Sequence, residues 1–176
     1  MNPENKNIKA IIGLGNPGPK FHFTRHNIGF LILEALAEKY NVSFQASNNL
    51  EKTEVQVHSK NIILIKPQTF MNNSGQVILY LQKKGIKPEE ILVVHDELEL
   101  PFGKVKYVFS GGARGHNGLR SIIGVIGTDF NRLRVGISRP ENKEDVPDYV
   151  LSNFSEPKNE LERVINEAIN EIEKLL

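Results

Sequence analysis

Short β-branched or apolar runs alternate with stretches of helical spacing, and this alternation constrains the fold more than any other feature of the chain. The first run, Ile8–Leu14, breaks at Gly15-Asn16-Pro17-Gly18, which reads as a strand followed by a turn-rich loop. Between Asn27 and Tyr40, Ile28, Leu31, Ile32, Ala35 and Leu36 recur at helical spacing. Lys52–His58 alternates and Ile62–Lys66 is apolar, predicting a hairpin around Lys60-Asn61 whose second strand ends at Pro67. Val77–Lys84 reads as a helix stopped by Gly85, and Leu119–Ile126 as another, while Ile91–Val94, Val105–Phe109 and Leu133–Ile137 read as strands. Leu161, Val164, Ile165, Ala168, Ile169, Ile172, Leu175 and Leu176 form one apolar stripe on a C-terminal helix. Strands without a polar face need cover on both sides, so the pattern predicts an α/β sheet sandwiched between helices. The polar run Glu141–Asp148 reads as a mobile loop.

The chain has 176 residues, a length that fits one domain over 1–176. It has no cysteine, which removes disulfides, thiolate nucleophiles and Cys-type zinc sites, and fits a reducing compartment. No apolar stretch approaches the ~20 residues of a membrane helix. Met1–Ala10 lacks the apolar run of a signal peptide, so a soluble cytoplasmic protein is expected. The net charge of +1 conceals a segregation. Lys104–Arg139 holds seven basic residues against Asp129 alone, whereas 141–176 holds four basic and ten acidic ones. That division suggests a phosphate-binding face beside an acidic distal helix.

Gly13-Leu14-Gly15-Asn16-Pro17-Gly18 matches G-x-G-x-x-G, but a dinucleotide fold would begin its helix inside the motif. Pro17 and Pro19 occupy that stretch, the helical pattern starts near Asn27, and no acidic residue near Phe44-Gln45 is placed for a ribose. A Gly/Pro turn remains, or a rigid loop that aims Asn16 into a site. Polar residues also follow the other strands: His26-Asn27, Phe70-Met71-Asn72-Asn73, His95-Asp96 and His116-Asn117. Loops at the carboxyl ends of strands build the sites of open α/β sheets. A His with a carboxylate partner can activate water, and Asn NH₂ groups can donate to an oxyanion. Ser74 lies outside any G-x-S-x-G elbow and reads as the cap of the following helix. A metal site from His26, His95, His116 and Asp96 lacks H-x-x-x-H or H-E-x-x-H spacing, and no metal is expected.

Six segments taken in order resemble bacterial-type peptidyl-tRNA hydrolases. They are Gly13–Gly18, Thr24-Arg25-His26-Asn27-Ile28-Gly29, Lys66–Gly75, His95-Asp96-Glu97-Leu98, Gly111–Leu119 and Arg132–Ile137. The resemblance implies a single-domain three-layer αβα sandwich on a mixed, mostly parallel sheet, active as a cytoplasmic monomer without cofactor. It implies hydrolysis of the ester joining a peptide to the ribose at the tRNA 3′ end, recycling tRNA from peptidyl-tRNA released prematurely by ribosomes. By motif position, His26 matches the catalytic base and Asp96 the acid that orients it. Asn16 matches the residue that distinguishes N-blocked peptidyl-tRNA. Phe70, Asn72 and Asn117 match substrate-contacting positions, with Met71 and His116 lining the cleft. Phe21 stands where the family often has a tRNA-contacting Tyr, and Ser138 and Glu141 replace frequent glycines. An accepted tRNA stem would be held by phosphate and 2′-OH contacts, its 3′ end stacking on Phe21 or Phe70. Lys104, Lys106, Arg132 and Arg134 are the phosphate candidates. The alternative is a non-catalytic RNA-binding protein on the same fold.

Overall fold

Seven strands build one sheet among residues 6–176, the part of the chain that this computed structural model describes. The strands are β1 (Ala10–Gly13), β2 (Gln45–Ser47), β3 (Leu50–Val57), β4 (Lys60–Pro67), β5 (Ile91–Glu97), β6 (Val105–Phe109) and β7 (Asn131–Gly136). Their order across the sheet is β2-β3-β4-β1-β5-β7-β6. The central pairings β4-β1, β1-β5 and β5-β7 are parallel, and the flanking pairings β2-β3, β3-β4 and β7-β6 are antiparallel. The sheet is therefore mixed, with its parallel character confined to the centre.

The helices are α1 (Ile28–Lys39), α2 (Ile78–Lys83), α3 (Asn117–Ile126), α4 (Val146–Val150) and α5 (Lys158–Leu175). Alternation along the central strands divides the core in two. Ile11, Leu92, Val94, Leu133 and Val135 pack with α1 and α5 on one face. Ile12, Ile65, Ile91 and Val93 pack with α2 and α3 on the other. The result is the three-layer α/β sandwich the alternation predicts.

Several local readings change. The β3-β4 hairpin turns at His58-Ser59, whose φ of 49° and 66° are the left-handed pair of a two-residue primed turn, and Lys60-Asn61 already belong to β4. Ser74 does not cap α2. It lies inside a 3₁₀ segment, Met71–Val77, and its buried Oγ donates to the Met71 carbonyl at 2.8 Å. The run 141–148 is not an open loop: it folds into a 3₁₀ turn, Lys143–Asp145, and the start of α4. His95 and Asp96 do not follow β5 but belong to it, because parallel pairing with β7 continues through Glu97↔Gly136.

The connection from β1 to β4 places α1 on one face, and that from β4 to β5 places α2 on the other. The carboxyl ends of β1, β4 and β5 thus form a topological switch point, where α/β sheets open a crevice. Gly29 sets how closely the start of α1 approaches it. A Cβ there would lie 2.5 Å from both the Leu14 nitrogen and the Val94 oxygen. Only a glycine lets the helix start rest on the ends of β1 and β5.

Candidate active site

That close approach carries His26 over the end of β5. His26 sits in the 3₁₀ turn Arg25–Asn27 just before α1, and its Nδ1 lies 2.8 Å from Asp96 Oδ2. The other carboxylate oxygen, Oδ1, lies 2.8 Å from Nε2 of His116, the N-cap residue of α3. Asp96 is buried and bridges the two rings, whose centroids are 4.9 Å apart. Burial alone would raise its pKa; the charges of His26 and His116 and the hydrogen bonds from both outweigh it and hold the carboxyl well below its usual range.

The hydrogen-bond partners assign the protons. Nδ1 of His116 accepts from the backbone N–H of Gly118 at 3.1 Å and Leu119 at 3.3 Å. In the neutral ring its proton is therefore on Nε2, donating to Asp96. His26 likewise donates from Nδ1, which leaves its Nε2 lone pair free. His95 stacks edge-on against His116 at 5.3 Å, and its Nδ1–H donates to the Asp96 carbonyl at 2.8 Å. Burial, then the neighbouring His116, lowers the His95 pKa to about 4, so it stays neutral.

His26, Asp96 and His116 also offer ligand atoms within 4.8 Å of one another. A metal on Nε2 of His116 would need the proton that nitrogen holds, and would force Nδ1 to face two backbone N–H groups without a lone pair. The donor set fits a hydrogen-bonded relay rather than a metal centre.

Asn16 follows β1 and is clamped on both sides by the Asn27 amide. Its N–H donates to Asn27 Oδ1 at 2.9 Å, and its carbonyl accepts from Asn27 Nδ2 at 2.9 Å. Its Oδ1 accepts from the Met71 N–H at 2.7 Å, which orients the amide and turns the NH₂ group away from that bond. The rigid-loop reading of Gly15–Gly18 thus has a physical basis.

Two cavities meet at His26. One, of about 340 Å³, is lined by Asn16, Phe21, Phe70, Met71, Asn72 and Asn117. The other, also of about 340 Å³, is lined by His95, Asp96, His116 and Asn117 with Arg114 and Arg139. Pro147 and Val150 of α4 border both. The Phe70 ring is 55% exposed and meets Phe21 edge-on at 6.2 Å.

The basic candidates do not share one surface. Arg132 is buried; it donates to the carbonyls of Gly112 at 2.8 Å, Thr128 at 3.2 Å and Gly111, which corrects its reading as a free phosphate contact. Arg134 pairs its Nε with Glu97 at 2.7 Å and lines a further cavity of about 260 Å³ with Arg114 and Arg132. Lys106 is exposed on edge strand β6, opposite Arg134 in the register. Lys104 instead lines a groove with Glu160, Arg163 and Glu167 of α5, away from the histidines.

Two groups escaped sequence reasoning. Pro147 was hidden in the run 141–148, judged by its polarity, and Val150 lies just beyond it. Arg25 is a buried tie: its guanidinium donates to the carbonyls of Ser152 and Asn153 and to the hydroxyls of Ser152 and Ser155, and it stacks on Tyr149 at 4.2 Å. An arginine beside a histidine in the motif was the available signal, but its partners lie more than a hundred residues away.

Fold and site together define an α/β protein with a His–carboxylate pair and amide side chains at the switch point of its sheet, an arrangement suited to attack of water on an acyl group. The chain belongs to the peptidyl-tRNA hydrolase family, whose model matches residues 10–176. It is 50% identical over 149 residues to the peptidyl-tRNA hydrolase of Rickettsia prowazekii, covering 83% of this chain and 80% of that one. It is 47% identical over 158 residues to that of Rickettsia canadensis, covering 88% and 84%. The crystal structure of peptidyl-tRNA hydrolase from Acinetobacter baumannii superposes with a TM-score of 0.86 at 40% identity, over 94% of this chain and 84% of that one.

Proposed function

We propose that this chain hydrolyses the ester between a peptide and the 3′-terminal ribose of tRNA, with His26 as general base. The observation that carries the reading is the 2.8 Å bond from His26 Nδ1 to Asp96, which leaves Nε2 as the free lone pair of a ring that lines both cavities. Water held by Nε2 attacks the ester carbonyl as its proton passes to His26. Asp96 keeps the ring in this tautomer and stabilises the imidazolium that forms. The NH₂ groups of Asn16 and Asn117 serve as donors, the first oriented by Met71 and the second by the 3.3 Å bond from Arg120 to its Oδ1. The base contributes about 10²–10⁴ in rate, and one oxyanion donor about 10²–10³.

The cavity with Asn16, Phe21, Phe70, Met71 and Asn72 receives the end of the substrate, the 3′ base stacking on Phe21 or Phe70. Phe21 offers a face without a hydroxyl. Lys106, exposed on edge strand β6, contacts phosphate there, consistent with shape-based recognition of an A-form stem. The protein works in the cytoplasm as one domain and one copy. The complete His–Asp–Asn set disfavours a purely RNA-binding role. Release of labelled peptide from N-acetyl-aminoacyl-tRNA tests the reading: His26→Ala should lower kcat by about 10²–10⁴, and wild-type turnover by that variant would overturn it.

A further inference from the structure

The N-terminus of α3 has a role the hydrolytic reading does not require. Asp96 has two oxygens and two histidine N–H partners, so a carboxylate satisfies both without choosing between them. An amide at the same position would have to choose, because only one of its two terminal atoms accepts. The two rings do not compete equally for it. His116 cannot move its proton to Nδ1, since that atom accepts from Gly118 and Leu119 at the start of α3. His26 lines both cavities, and no backbone N–H binds its ring to impose such a restriction.

We propose that His116 is a positioning residue: locked in one tautomer by the α3 N-terminus, it claims one oxygen of Asp96 and so holds the carboxylate with its other oxygen on His26 Nδ1. This rests on His26 acting as general base. His95, donating to the Asp96 carbonyl and packed edge-on against His116, holds the relay from behind.

Substitutions at Asp96 and His116 are expected to be non-additive. In Asp96→Asn the new amide oxygen faces His116, its NH₂ faces His26 Nδ1, and His26 moves its proton to Nε2. The base is then blocked even though the site stays filled. His116→Asn removes the ring donor while keeping a side-chain oxygen that caps α3. In the double variant the amide introduced at position 96 is free to turn its oxygen to His26, restoring the Nδ1–H tautomer, though not the carboxylate charge.

The test combines peptide release with long-range ¹H–¹⁵N spectra of protein labelled at histidine. Asp96→Asn should lose about 10²–10⁴ in kcat, the range of a general base, and show His26 protonated at Nε2. The double variant should be at least about tenfold faster than Asp96→Asn, the scale of a partly restored base, and show His26 protonated at Nδ1. A double variant no faster than Asp96→Asn, or an Asp96→Asn spectrum with His26 still protonated at Nδ1, overturns the relay. The spectra need no substrate, so they judge the relay separately from the hydrolytic reading, which the wild-type and His26→Ala rates judge.

Discussion

Phe70 occupies a backbone conformation that only glycine adopts freely, with φ 60° and ψ 157°. A side chain held there is strained by about 1–3 kcal/mol. The surroundings hold it: the following N–H, of Met71, is bound to Asn16 Oδ1 at 2.7 Å, and the Phe70 carbonyl accepts from Asn73 at 3.1 Å. Comparing Phe70→Gly with Phe70→Ala isolates the strain, because both lose the same ring and its edge contact with Phe21. At an ordinary position glycine is about 0.5–1 kcal/mol less stable than alanine through its larger unfolded-state entropy. Here relief of strain exceeds that penalty, so the glycine variant should be the more stable by about 1–2 kcal/mol. Urea unfolding at neutral pH reads the difference, provided the two variants share one m-value. Thermal unfolding should separate them by several degrees, at roughly 2–4 °C per kcal/mol for a chain of this size. An alanine variant as stable as the glycine one, or more so, refutes the strain.

His95 ties stability to pH. Its folded pKa of about 4 lies below the ordinary histidine value, so the unfolded chain binds more protons between about pH 4 and 6.5 and stability rises with pH across that window. Lowering the pH from 7 to 5 should cost about 2 kcal/mol from this group, and His95→Asn should flatten that limb in urea titrations; an unchanged slope would show that His95 titrates normally. The basic residues make a comparative prediction for tRNA binding. Lys106→Ala should raise KM and reduce the salt dependence of log KM by about one unit, with a smaller response for Lys104→Ala, whose groove includes Glu160 and Glu167. An equal response would shift the tRNA surface toward α5.

The layered fold was legible because both its periodicities survive in the residues. Ile11 and Ile12 point to opposite layers as neighbours in a strand must, and the stripe from Val164 to Leu175 buries one side of α5. The charge reading was too coarse to place a surface, for a related reason. It treated Lys104–Arg139 as a surface, yet the segment holds an edge strand, a helix and β7, which lies between β5 and β6. In Asn131-Arg132-Leu133-Arg134-Val135 the arginines alternate with core residues. That pattern places both on one face of an interior strand, where Arg132 serves backbone carbonyls and Arg134 serves Glu97. A count of charges along a chain therefore locates a surface only after the strand order is known. The histidine relay is harder still. Its residue types were visible in three motifs, but its chemistry depends on where protons sit. That is decided by the Gly118 and Leu119 N–H groups at the start of α3, which carry no side-chain signal. Hydrogen-bond direction at a helix terminus is a property of the backbone, so the same His–Asp–His set at another register relative to α3 would keep every motif residue while losing what assigns the proton.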